Sequence, residues 1–127
     1  MKIIIAPDSY KECLSAKEIC IAIENGFKRV FGDAEYVHLP VADGGEGTAQ
    51  TLLDALGGDM IELSVTGPLQ DTVNGFYGLL NNKKTAIIEM AAASGLHLVP
   101  TDKRDPKITT SYGTGELIKH APFHSWL

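Results

Sequence analysis

An α/β architecture with an open parallel layer is what this sequence predicts, and three observations predict it. A short β-branched run, Lys2 to Ala6, ends at Pro7. A helix signal follows, with Ser15 and Glu18 spaced as a capping box. A second short apolar run, Tyr36 to Leu39, then leads through Pro40 and a glycine-rich turn into another helical stretch. The order strand, helix, strand, helix favours a layer of parallel strands over a bundle or a sandwich.

Taken in order, Lys2 to Ala6 reads as a buried central parallel strand, because its apolar residues run without alternation. Pro7 to Lys11 is a loop. A helix is predicted from near Ala16, with Ile19, Ile23, Phe27 and Val30 on one face and Gly32 as its stop. Thr48 to Leu56 is a second helix, closed by Gly57 and Gly58. Ligands gather at the carboxyl ends of the strands in such sheets. Loops 7–14 and 40–47 are therefore expected at one edge, facing one site.

The texture changes after Gly58, which predicts a second subdomain from about residue 60. Ile61, Leu63 and Val65 alternate with polar residues, the pattern of a half-exposed strand. Gly67-Pro68 turns the chain, Val73 to Leu80 is another strand, and Asn81 to Lys84 is a turn. Thr85 to Met90 reads as a third strand, buried at Ile87 and Ile88. Gly113-Thr114-Gly115 opens a helix, Glu116 to Ala121, which Pro122 stops. The apolar tail Phe123-His124-Ser125-Trp126-Leu127 has no partner element in the sequence, so the chain is expected to be cut short.

Composition narrows the function classes. The 127 residues suit one modest core, with 44% hydrophobic and 21% charged residues. A net charge of -5 gives no basic footprint for nucleic acid. The apolar start is too short for a signal sequence or a membrane span, so a cytoplasmic protein is expected. Cys13 and Cys20 form no metal pattern or disulfide framework and read as packing residues. Pro122 between His120 and His124 spoils a helical metal pair, and His38 and His97 are isolated.

Chemistry concentrates in four stretches. In Val41-Ala42-Asp43-Gly44-Gly45-Glu46-Gly47-Thr48, three glycines in four positions bring main chain close to a small ligand. N–H groups at a helix start attract anions, which makes Gly44, Gly45, Gly47 and Thr48 candidate phosphate or carboxylate binders. Asp43 suits a base for a substrate hydroxyl, or an anchor for Mg²⁺, which takes one or two carboxylates with phosphate oxygens. Equally, the loop reads as a tight turn in which Asp43 and Glu46 support a helix N-terminus.

Asp8, Ser9 and Lys11 offer a carboxylate, a hydroxyl and a cation directly after the first strand, suited to metal or phosphate contact or to simple solvation. Glu89 closes an apolar run before Met90-Ala91-Ala92-Ala93-Ser94-Gly95 and is either a site carboxylate or a solvent-facing one. Ser111, Gly113, Thr114 and Gly115 form a hydroxyl-rich helix entry, open to anion binding or to plain capping by Thr114. Neither the P-loop pattern nor the dinucleotide glycine pattern occurs.

These stretches occur in one order: Ile5-Ala6-Pro7-Asp8-Ser9-Tyr10-Lys11, Leu14-Ser15-Ala16, the 41–48 loop, Val65-Thr66-Gly67-Pro68-Leu69, Ile88 to Leu96, and Gly113-Thr114-Gly115-Glu116-Leu117-Ile118. The ordered set resembles the bacterial glycerate kinase family over residues 1 to about 121. The resemblance implies transfer of the ATP γ-phosphoryl group to D-glycerate, leaning to the 2-position, with Mg²⁺. It favours Asp8, Lys11 and Asp43 as catalytic residues and Glu46 and Glu89 as binding residues, with Asp43 and Glu89 toward the metal.

It also implies a Rossmann-like domain, of which residues 1–59 are the N-terminal part, and an incomplete second α/β domain over 60–127, with the site in the cleft between them. Cys13 stands where the family has a small hydroxyl residue, and residues 122–127 depart from the pattern. Family chains continue through a segment of the type Gly-Gly-Ser-Ala-Thr-Asn-Asp-Gly-Gly. The other expectation is a non-catalytic remnant or split subunit that binds a small anion or a complementing C-terminal polypeptide.

Overall fold

The computed structural model describes residues 1–10 and 13–122. The chain is mixed α/β and divides into two compact units, Met1–Thr51 and Leu52–Leu127.

The first unit is built on a two-stranded parallel sheet, β1 (Lys2–Ile5) beside β2 (Glu35–His38), in register Lys2 with Glu35 through Ile5 with His38. The crossover between them is α1 (Ala16–Lys28). Both halves of the predicted capping box form: the Ser15 hydroxyl accepts from the Glu18 N–H, and the Glu18 carboxylate accepts from the Ser15 N–H at 2.8 Å. Helix α1 buries Ala16, Ile19 and Cys20, and the Cys20 thiol donates to the Ile5 carbonyl at 3.6 Å. Burial pushes that thiol's pKa up, as expected of a packing cysteine.

Two expectations for this unit are corrected. Ile5 is buried, but Ile4, which strand alternation sends to the opposite face, is 62% exposed. One helix covers one face of a two-stranded sheet, so the strand is not buried on both sides. Helix α1 ends at Lys28, four residues before Gly32, and the Arg29 N–H closes back on Gly26 and Phe27 carbonyls. Val30 thus leaves the helical face and is 73% exposed.

Helix α2 spans Thr48–Leu56, as the sequence predicts. In the second unit β3 (Gly58–Thr66), β4 (Thr72–Leu80) and β5 (Ala86–Ile87) form an antiparallel sheet in that order. Ladder pairing of β4 with β5 stops after Gly78 with Ile87 and Leu79 with Ala86. The predicted strand 85–90 is therefore only two residues long, and Ile87 and Ile88 are half-buried. The chain turns instead into the short helix α3 (Ala91–Ser94), followed by 3₁₀ turns at Leu96–Leu98 and Thr101–Lys103.

Helix α4 (Tyr112–His120) starts four residues earlier than predicted. Val65 and Tyr77 from the sheet, Ala92 and Ala93 from α3, and Leu117 and Ala121 from α4 and its end make the core of this unit. Gly113 lets α4 lie against β3: a Cβ there would collide with the carbonyl oxygen of Thr66. The Glu116 carboxylate then accepts from the Thr66 N–H at 2.6 Å, fixing α4 to the strand end.

Candidate functional site

Two loops of the first unit leave the carboxyl ends of the parallel strands together. Leu39 N–H donates to the Ile5 carbonyl at 2.8 Å, and Val41 N–H donates to the Pro7 carbonyl at 3.1 Å. The pairing of β1 and β2 is thus prolonged by two hydrogen bonds into the loops themselves. Ser9, Tyr10, Cys13, Glu46 and Gly47 line one pocket of about 310 Å³.

The 43–48 loop is held by its own polar groups. Asp43 Oδ1 accepts from the Gly45 N–H at 2.9 Å, an Asx-type turn. The Thr48 hydroxyl accepts from the Gly44 N–H at 3.2 Å and donates to the Gly45 carbonyl at 2.8 Å. Gly44 at φ 99° and Gly47 at φ 87° adopt the left-handed conformation that side chains resist. The glycines therefore meet a backbone requirement as well as leaving room above the main chain. Asp43 is exposed, and its Oδ2 is engaged by no group among the described residues.

Asp8 is half-buried at the mouth of the first loop and accepts the Ser9 N–H at 2.6 Å. Lys11 lies outside the described residues. Tyr10, Cys13 and Leu14 join the pocket without having been singled out as site residues. A bridge between Tyr10 and Leu14, with N–H to carbonyl distances of 2.9 and 3.1 Å, folds them onto it.

The remaining candidates belong to the second unit. Glu89 is 4% exposed, which rules out the solvent-facing alternative for a carboxylate at this position. It precedes α3 rather than ending a strand. A buried carboxylate needs partners, and Glu89 has them. Ser111 is the residue before α4 and makes no side-chain cap, while Gly113, Thr114 and Gly115 lie inside the helix. Capping by Thr114 is therefore corrected: its hydroxyl instead meets that of Ser94 at 2.8 Å.

Beside Ser111 are two cavities. One of about 450 Å³ is lined by Thr110, Ser111, Gly115, Glu116 and Lys119 among others. The other, of about 460 Å³, has Met90, Leu96 and Pro106 in its walls together with Arg104 and Ser94. Sequence reading passed over the second, because its walls come from residues 68 to 111 and no local pattern joins them. No group of three or more His, Cys, Asp or Glu side chains able to hold a metal occurs among the described residues.

Known proteins match this chain over nearly its whole length. The sequence profile described as "Glycerate kinase family" matches residues 3–125. The chain belongs to the glycerate kinase family. A glycerate kinase of Haemophilus influenzae is 68% identical over 121 residues, covering 95% of this chain and 32% of that protein. The glycerate 2-kinase of Escherichia coli K12 is 60% identical over 121 residues, with 95% and 32% covered. The crystal structure of a Salmonella typhimurium LT2 protein assigned as glycerate kinase 2 superposes with a TM-score of 0.70 at 59% identity, over 95% of this chain and 33% of that one. The chain spans about a third of the length of the glycerate kinases it matches. No helix among the described residues is long and apolar enough to cross a membrane.

Proposed function

We propose that the chain carries part of the machinery of an ATP-dependent D-glycerate kinase that gives 2-phosphoglycerate. The observation that supports this best is the pocket shared by the 7–14 and 40–47 loops in a chain of the glycerate kinase family. Phosphoryl transfer asks the protein mainly for positioning and charge stabilisation. The loop pair supplies a carboxylate at Asp43 whose Oδ2 is engaged by no group among the described residues, and a second carboxylate at Asp8, while the Gly44 and Gly45 N–H groups hold the loop itself together through Thr48 and Asp43. Asp43 takes the proton of the attacking glycerate hydroxyl or orients that hydroxyl, and Lys11 counters phosphate or carboxylate charge.

Mg²⁺ takes few protein ligands and completes its shell with phosphate oxygens and water. Asp43 has the donor type and exposure for such a role. Bound with ATP, the ion would offset the charge of the migrating phosphoryl group. Within the second unit, Glu89 and the Ser111, Thr114 and Gly115 stretch are candidates for anion or metal binding on their own.

The test is glycerate-dependent ADP release by this chain, alone and mixed with the remaining length of the Haemophilus influenzae relative supplied as a separate polypeptide. Asp43→Asn should lower turnover by roughly 10²–10⁴-fold in whichever preparation is active, the range for loss of a general base. Unchanged kcat and KM in that variant remove Asp43 from the chemistry.

A further inference from the structure

A cavity of about 460 Å³ lies in the second unit. Its volume lies within the ~300–1,000 Å³ range of small-molecule sites, and its walls are apolar with a few polar groups, as such sites are. Met90 and Leu96 are both more than half exposed although large and hydrophobic, so the apolar surface they offer is open to a ligand. Into this wall comes one cation, Arg104. Its Nε donates to the Val99 carbonyl at 3.0 Å and its Nη2 to the Leu96 carbonyl at 3.3 Å. Those two bonds fix the plane of the guanidinium before any ligand arrives.

We propose that this cavity takes the nucleoside part of the ATP that phosphorylates glycerate. The choice of ligand rests on the kinase reading; the choice between the two substrates rests on the chemistry of the walls. Glycerate bears an oxygen on every carbon and has no apolar face to bury. A purine has two such faces and a polar edge. Met90, Leu96 and Pro106 suit the faces, the fixed guanidinium plane of Arg104 suits stacking on the ring, and the hydroxyl of Ser111, which makes no helix cap, suits the edge. The adjoining cavity shares Thr110 and Ser111 with this one and carries Lys119, a cation placed for the phosphate chain.

The probe is adenosine, the nucleoside without its phosphates. Added to the ¹⁵N-labelled 127-residue chain, it should perturb amide signals of residues 90–111, and D-glycerate should not. Leu96→Trp and Met90→Trp, each filling the cavity from an exposed wall position, should weaken adenosine binding by at least about tenfold, or about 1.4 kcal/mol. Loss of binding in these variants with native-like spectra supports the cavity. Perturbations confined to other residues, or affinity unchanged in both variants, overturn it, and the labelled wild-type spectrum decides the matter if either variant misfolds. The kinase reading fails separately: glycerate-dependent ADP release by the chain mixed with the remaining length of the relative, with no adenosine signal in 90–111, removes the cavity and leaves the kinase standing, whereas adenosine held there with no turnover in that mixture does the reverse.

Discussion

Thr48 is a small side chain with two tasks in the 43–48 loop. It accepts from the Gly44 N–H and donates to the Gly45 carbonyl. Valine has the same shape and can do neither. Thr48→Val should therefore loosen the loop at a stability cost of about 1 kcal/mol, and raise KM for ATP or glycerate more than it lowers kcat. Thr48→Ser, which keeps the hydroxyl, should restore KM. Equal kinetics for the valine and wild-type forms would mean that the loop needs no such tether. Gly113 gives the opposite kind of case, where the absence of a side chain matters. Because a Cβ would strike the Thr66 carbonyl, Gly113→Ala must push α4 off β3. The expected cost is about 1–3 kcal/mol, typical of overpacking, read as a lowered urea midpoint. Gly115, where a Cβ meets open space, should accept alanine with far less loss.

At the level of elements, α1 is secured by a motif visible in five letters, Leu14-Ser15-Ala16-Lys17-Glu18. Ser15→Ala should cost about 1 kcal/mol through the lost cap. The box also has a pH signature. Hydrogen bonds from Ser15 hold the Glu18 carboxyl below its usual pKa of 4.5. A depressed folded pKa contributes stability that is present above the unfolded value and lost as pH falls through the folded one. Urea midpoints of wild type and Glu18→Gln should therefore converge below the ordinary carboxylate pKa and separate above it; parallel curves would show that the box adds nothing. The same element shows what local pattern leaves out. Its start was legible because a cap is written in neighbouring residues, and its end at Lys28 was not, because Val30 and Phe31 turn back on Phe27 before Gly32 is reached. Alternation at Ile61, Leu63 and Val65 announced β3, yet nothing local announced that β5 would stop at Ile87. That depends on how far β4 offers partners. Glu89 was legible as a carboxylate after an apolar run, but its burial comes from tertiary packing. The loop pair was readable because both loops follow strands; the 460 Å³ cavity was not, since its walls are scattered along the chain between 68 and 111.

Taken whole, the chain distributes its apolar burial unevenly between its two units. Among the described residues of Met1–Thr51 the buried hydrophobic ones are Ile5, Ala16, Ile19, Cys20 and Ala49, around two strands of four residues each. In the other unit a nine-residue strand pair is roofed by α3 and α4 over Val65, Tyr77, Ala92, Ala93 and Leu117. Short two-stranded sheets are marginal by themselves, whereas three strands under a helix cover are not. Hydrogen exchange reports this difference, because amides open with free energies that track the burial around them. Amides of β3 and β4 should accordingly be protected well beyond those of β1 and β2 under the same conditions. Leu117→Ala supplies the control: Leu117 is 0% exposed, and its truncation should cost about 2–5 kcal/mol. That loss should erase much of the protection in β3 and β4 while changing β1 and β2 little, because the leucine packs in the second core only. Uniform protection across all four strands in the wild type, or uniform loss in the variant, would mean that the chain opens as one cooperative body rather than as two cores of unequal strength.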